Sequence, residues 1–184
     1  MLRIWFISSI LFLSGCATTG WDHQPLDYGS MIKTHTYSQE PLLIEIANTN
    51  QVASQSMTYM IGVVPLDRKW DYNQGAILRN LARETQASLG SEPKDGEAHR
   101  KLIVSGNMKT DWRGDYTATL KAELFSATGI KEFDFEAKGF VESKVASAVA
   151  FENAYKIAFS NLVEKLVTPN NELKAGQPAA QVAP

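Results

Sequence analysis

A single thiol, three histidines, one serine–lysine pair and a scatter of acids are the side chains here that could do chemistry. His23, His35 and His99 form no i, i+4 pair and no His-Glu-x-x-His, so they spell neither a zinc site nor a triad. They read as solvated loop or edge histidines. Ser91-Glu92-Pro93-Lys94 places a serine and a lysine three residues apart. Pro93 removes the helical turn that would bring the amine back onto the hydroxyl. Asp67, Asp71, Glu92, Asp95 and Glu97 lack the alternate spacing of a calcium loop and read as a solvated face. The glycines are scattered among turns and build no phosphate loop. The expectation is a chain that is not an enzyme, with no metal and no cofactor.

Cys16 is different because of what precedes it. Arg3 is the one charge of the opening stretch, and Ile4 to Leu13 is nearly all apolar. That is a positive n-region followed by an h-region of signal-peptide length, too short for a transmembrane helix. Leu13-Ser14-Gly15-Cys16 then resembles the lipobox of bacterial lipoprotein signals. Small residues at 14 and 15 let an extended backbone enter a peptidase site. The Cys16 thiol can accept a diacylglycerol, and cleavage frees its amine for a further acyl chain. Each buried methylene contributes about 0.8 kcal/mol, so several chains anchor far more firmly than one. Cys16 is the only cysteine, so a thioether there excludes a disulfide or a cysteine metal site from the mature chain. An aspartate after the lipidated cysteine favours inner-membrane retention in the sorting pattern of such lipoproteins. Here the residue is Ala17, which implies the outer membrane, periplasmic face.

The 184 residues carry 18 basic and 20 acidic side chains, and loss of Arg3 with the signal moves the formal charge from −2 to −3. Neither nucleic acid nor an anionic lipid patch is expected of that balance. Four regions are expected: a signal peptide at 1–15, a lipidated N-terminus with a flexible tether at 16–40, one domain at 41–168, and a disordered tail at 169–184. The tether is rich in Gly, Pro, Ser, Thr and Gln, and the tail in Pro, Asn and Ala.

Inside the domain, Leu42–Ala47 reads as a short strand. Tyr59–Leu66 is an apolar run that suits a strand covered on both faces. Between Tyr72 and Leu89 the period turns helical, with Ile77, Leu78, Leu81, Ala82, Thr85 and Leu89 on one side. Strands follow at 101–110, 115–125 and about 133–141, joined by short turns, which implies an antiparallel meander. On the second of these, Tyr116, Ala118, Leu120, Ala122 and Leu124 share a face. On the third, Phe133, Phe135, Ala137, Gly139 and Val141 do. From Lys144 to Val167 a helix carries a stripe of Phe151, Tyr155, Ala158, Phe159, Leu162 and Leu166, with Pro169 beyond it. The expected fold class is α+β: a two-layer sandwich, mostly antiparallel sheet, two helices on one face, in the order β-β-α-β-β-β-α.

The lipobox, the Leu102-Ile103-Val104 strand, the Tyr116-Thr-Ala-Thr-Leu-Lys-Ala122 strand and the long C-terminal helix together resemble the YajG-type bacterial lipoproteins, over roughly residues 58–167. The layout is also similar to the auxiliary lipoproteins of ABC transporters and to LptE. The resemblance implies a scaffolding or partner-binding role in an envelope complex, with no catalytic motif to carry over.

Two function classes follow. One is an accessory or assembly factor held to the envelope membrane by its lipid, binding a protein partner and compatible with self-association. The other is a carrier of a lipid or small apolar ligand between sheet and helices. Phe133, Phe135, Phe151, Tyr155 and Phe159 are expected to fill that gap. Arg68, Trp70, Tyr72, Trp112 and Arg113 lie at element edges. They cap the ends of the core, or they form an anchor patch of the aromatic–arginine kind that partners use.

Overall fold

The computed structural model describes residues 23–33, 41–47, 51–61, 64–111, 114–143 and 147–168. The elements are α1 (Tyr28–Ile32), β1 (Leu42–Ile46), β2 (Ala53–Ile61), β3 (Val64–Tyr72), α2 (Gln74–Leu89), β4 (Arg100–Thr110), β5 (Tyr116–Phe125), β6 (Lys131–Val141) and α3 (Ala148–Val167). A mixed sheet runs β1-β4-β5-β6, with β1 parallel to β4 and the rest antiparallel. The fold is α+β, as the periodicity implies, with the meander β4–β5–β6 at its centre.

Alternation on β5 places Tyr116, Ala118, Leu120, Ala122 and Leu124 in the core, each at 3 % exposure or less. Leu102 and Val104 of β4 join them, and α3 lays Phe151, Tyr155, Ala158, Phe159 and Leu162 across that face. Helix ends are set locally. The side chains of Asn73 and Ser147 accept from Ala76 N and Ala150 N, satisfying amides that the first turn leaves open. Gly90 ends α2 at φ 60, a left-handed conformation that a Cβ would strain.

The structure corrects three expectations. Tyr59–Leu66 is not one buried strand. The chain reverses between Ile61 and Val64, and β2 and β3 pair as a separate antiparallel ribbon with a two-residue connection. A continuous apolar run suits either arrangement. Residues 16–40 are not tether throughout. Tyr28 and Ile32 of α1 are 2 % and 0 % exposed, packed between α2 and α3. Tyr28 bonds Thr85 through its hydroxyl at 2.5 Å and meets Phe159 edge-on. Phe133 and Phe135 are only half-buried, because α3 crosses β6 at Ala137 and Gly139 instead.

Both flanks of the main sheet meet helix or loop groups. On β1, Leu42 N donates to Ser91 O at 2.9 Å and Ile44 N to Gln86 Oε1 at 3.3 Å. On β6, Lys138 O and Glu136 O accept from Asn161 Nδ2 at 2.8 Å and Lys165 Nζ at 2.6 Å. No helix among the described residues is long and apolar enough to cross a membrane, which says nothing of a β-barrel.

Candidate functional site

Of the five edge residues, the structure describes the side chains of Tyr72 and Trp70. Tyr72 is buried at 8 % exposure, and its ring stacks on Phe151 with centroids 4.3 Å apart. It belongs to the core, so the anchor reading is wrong for this residue. An aromatic at the end of a strand fills whatever the strand base rests on, and here that is the first turn of α3. Trp70 is half-buried and packs against the core from β3. Arg68 lies on β3, paired with Met57. Trp112, Arg113 and Cys16 fall outside the described residues, as do His35 and the tail. On either side of residues 112 and 113, Gly114 N donates to Asp111 O and Asp115 N to Asp111 Oδ1, at 3.1 and 3.0 Å.

The residues with chemical potential are also apart. Ser91 Oγ is buried with no hydrogen-bond partner, so no base reaches it. Lys94 instead offers its backbone amide to Glu97 Oε2. His99 Nδ1 lies 2.8 Å from Glu97 O. Among the described residues no three of His, Cys, Asp and Glu gather as a metal set. Tyr155 is buried with its hydroxyl unpartnered, and burial pushes that phenol well above its ordinary pKa. Burial does the same to Tyr28, against the opposing bond to Thr85.

The face of the sheet away from the helices is charged and paired with itself. Lys101 bridges to Glu45 at 3.0 Å, and Lys131 to Glu123 and Asp134 at 2.6 and 2.7 Å. Arg100, two residues before the buried Leu102 on β4 and so not of that outer face, pairs with Glu132 of β6. The bond to Asp134, then that to Glu123, raises the Lys131 pKa, and Lys138 lowers that of Glu136. Such pairs contribute little stability each, but they leave few unbalanced charges for a partner to read. A shallow groove of about 510 Å³ runs on this face past Ile103, Ser105, Lys121 and Glu136.

What the periodicity did not foresee is a strap. Asn153 on α3 accepts from Leu26 N at 2.9 Å and donates to Gln24 O at 2.8 Å. One turn on, Lys156 Nζ donates to Leu26 O at 3.0 Å and pairs with Glu152 at 2.8 Å. Asn153 and Lys156 are 4 % and 9 % exposed, so α3 is covered on its outer side as well as its sheet side. A buried asparagine and lysine amid an apolar helix are the signal that could have shown it. Asn153→Ala leaves a part-buried amide and carbonyl unpaired, an expected cost of about 1–3 kcal/mol. Hydrogen exchange should show faster exchange at Leu26 while the amides of β5 keep their protection. Unchanged exchange at Leu26 would show that the strap holds without Asn153.

No family model matches the chain, and no curated protein does. Among solved structures it is similar to a crystal structure of a Xanthomonas campestris protein of the DUF330 family, at TM-score 0.44 and 15% identity. The match covers 72% of this chain and 87% of that one.

Proposed function

We propose that this chain is a lipid-anchored lipoprotein of the bacterial envelope, held by Cys16 to the periplasmic face of the outer membrane. There it serves as a non-enzymatic accessory factor that binds a protein partner. The observation that carries partner binding over ligand carriage is the fit between the two layers. A Cβ at Gly139 would lie 2.0 Å from Ala154 O and 2.5 Å from Ala158 N, so β6 and α3 touch at backbone distance. Phe151, Tyr155 and Phe159 fill the space beside that contact. A carrier needs a cavity there; a binding module works from its surface.

The anchoring is tested by Cys16→Ser. The variant is expected to lose the acyl mass on the mature N-terminus and to leave the outer-membrane fraction. Retention there as a processed protein would overturn the anchor. The role is tested by cross-linking the acylated protein in intact cells and identifying the captured partners by mass spectrometry. A reproducible envelope complex supports it. Co-purifying lipid at one molecule per chain, with no protein captured, favours the carrier.

A further inference from the structure

Asp95 is the one aspartate of the sequence that precedes a glycine, and no asparagine does. The other seven aspartates are followed by histidine, arginine or an aromatic residue. The difference is chemical. A backbone amide can attack the side-chain carboxyl of an aspartate just before it and close a cyclic imide. A side chain on the attacking residue obstructs that approach, and glycine has none.

The loop from α2 to β4 presents this pair in the open. Glu97 N donates to Lys94 O at 2.9 Å, closing a turn with Asp95 and Gly96 at its centre. Gly96 has φ 79 and Asp95 a negative φ, the signs of a type II turn. Lys94 N also donates to Glu97 Oε2 at 3.0 Å, so the turn is held by its two ends and not by the pair between them. Asp95 and Gly96 are both exposed. Among the described residues, no hydrogen bond or ion pair holds the Asp95 carboxyl or the Gly96 amide. A Cβ at Gly96 would meet nothing within 4 Å. Glycine accepts either sign of φ, so the peptide between 95 and 96 can turn over and bring its nitrogen beneath the carboxyl without displacing a neighbour.

We propose that Asp95–Gly96 is a site of self-modification, at which the folded protein passes through a succinimide to an isoaspartyl linkage. Gly96 N bonds to Asp95 Cγ, and the carboxyl hydroxyl leaves as water with the amide proton. Water then adds to one of the two ring carbonyls. Breaking the bond from nitrogen to Cγ restores aspartate. Breaking the bond from nitrogen to the main-chain carbonyl carbon leaves the chain running through Cβ, with the α-carboxylate as the side group. One water is lost and one returns, so the product has the mass and formal charge of the starting chain, and solvent is the only co-reactant.

The isoaspartyl product lengthens the main chain of the turn by one methylene. That change falls beside a recess of about 540 Å³ lined by Glu97, His99, Lys101, Ile103 and Phe125. Glu97 O meets His99 Nδ1 there at 2.8 Å. The rim of the recess therefore changes with the age of the molecule.

The test ages the full purified chain in neutral buffer, beside a sample unfolded in urea and beside Asp95→Glu, whose imide would need a larger ring. Isoaspartate is counted with an isoaspartyl carboxyl methyltransferase and a labelled methyl donor, and located by electron-transfer fragmentation of the peptides. The folded chain is expected to gain it at residue 95 several-fold faster than at any other aspartate. Ageing in heavy-oxygen water should place one heavy oxygen at that residue. Asp95→Glu should lose the signal. A folded chain that stays unmodified overturns the proposal, and reaction in urea alone would show that the fold holds the pair apart. Label in Asp95→Glu equal to that of the parent also overturns it, by placing the reaction elsewhere.

Discussion

Gly139→Val is expected to be among the most destabilising single substitutions in the chain. The first atom added at this position meets Ala154 O at 2.0 Å, Ala158 N at 2.5 Å and Ile157 Cβ at 3.0 Å. Two of the three neighbours are helix backbone, which no change of rotamer can move. Either α3 lifts from β6 or the edge strand bends away. Overpacked cores typically lose about 1–3 kcal/mol and sometimes more, and a clash with backbone belongs at the upper end. At about 3 kcal/mol a domain of this size loses roughly 10 °C of melting temperature. Gly106→Ala is the matched comparison. Its nearest contact is Leu78 Cδ1 at 2.9 Å, the end of a side chain that can turn, so a smaller loss is expected. Thermal unfolding of the two variants side by side checks the order. Equal curves would mean that β6 and α3 are not in backbone contact.

Phe159→Ala should cost about 3–5 kcal/mol, as deletion of a buried aromatic does when its surroundings cannot collapse. The ring is 1 % exposed and is met edge-on by Tyr28 from the segment before the sheet. Its removal opens a void between α3 and α1, and the strap loses the contact behind it. Chemical denaturation should show a lower midpoint, with protease cutting within 23–33 rising first. Truncation after Thr168 removes no residue of the described core and is expected to cost little. A silent Phe159→Ala beside an unfolded truncation would place the core on the wrong side of residue 168.

Strands and helices with a clean period were legible in the sequence, and elements fixed by long-range partners were not. The alternation from Tyr116 to Leu124 states which face is covered, and the structure buries those five residues. The stripe from Phe151 to Leu166 is equally explicit. The ribbon was harder, because Tyr59–Leu66 has neither alternation nor a helical period. An apolar run of that length is compatible with a covered strand or with a folded-back tip. Helix α1 is five residues long and owes its place to Tyr28 and Ile32 fitting between α2 and α3. No window of local sequence carries that information. Tyr72 misled for a related reason: a strand end looks peripheral in one dimension, although its ring rests on Phe151 in three.

The hydrogen bonds along the two flanks of the main sheet bear on how the protein tolerates crowding. Leu42 N and Ile44 N on one side, and Glu136 O and Lys138 O on the other, are already engaged by groups of this chain. A strand from a neighbouring molecule would have to displace Gln86, Asn161 or Lys165 before it could add to either side. Lys165 is also a charge at the place where a foreign strand would settle. Under the anchoring proposed above, molecules held by acyl chains on a surface would meet their own kind far more often than in free solution. An open sheet margin in that setting is a seed for runaway polymer growth, and these side chains close it at the cost of three helix positions.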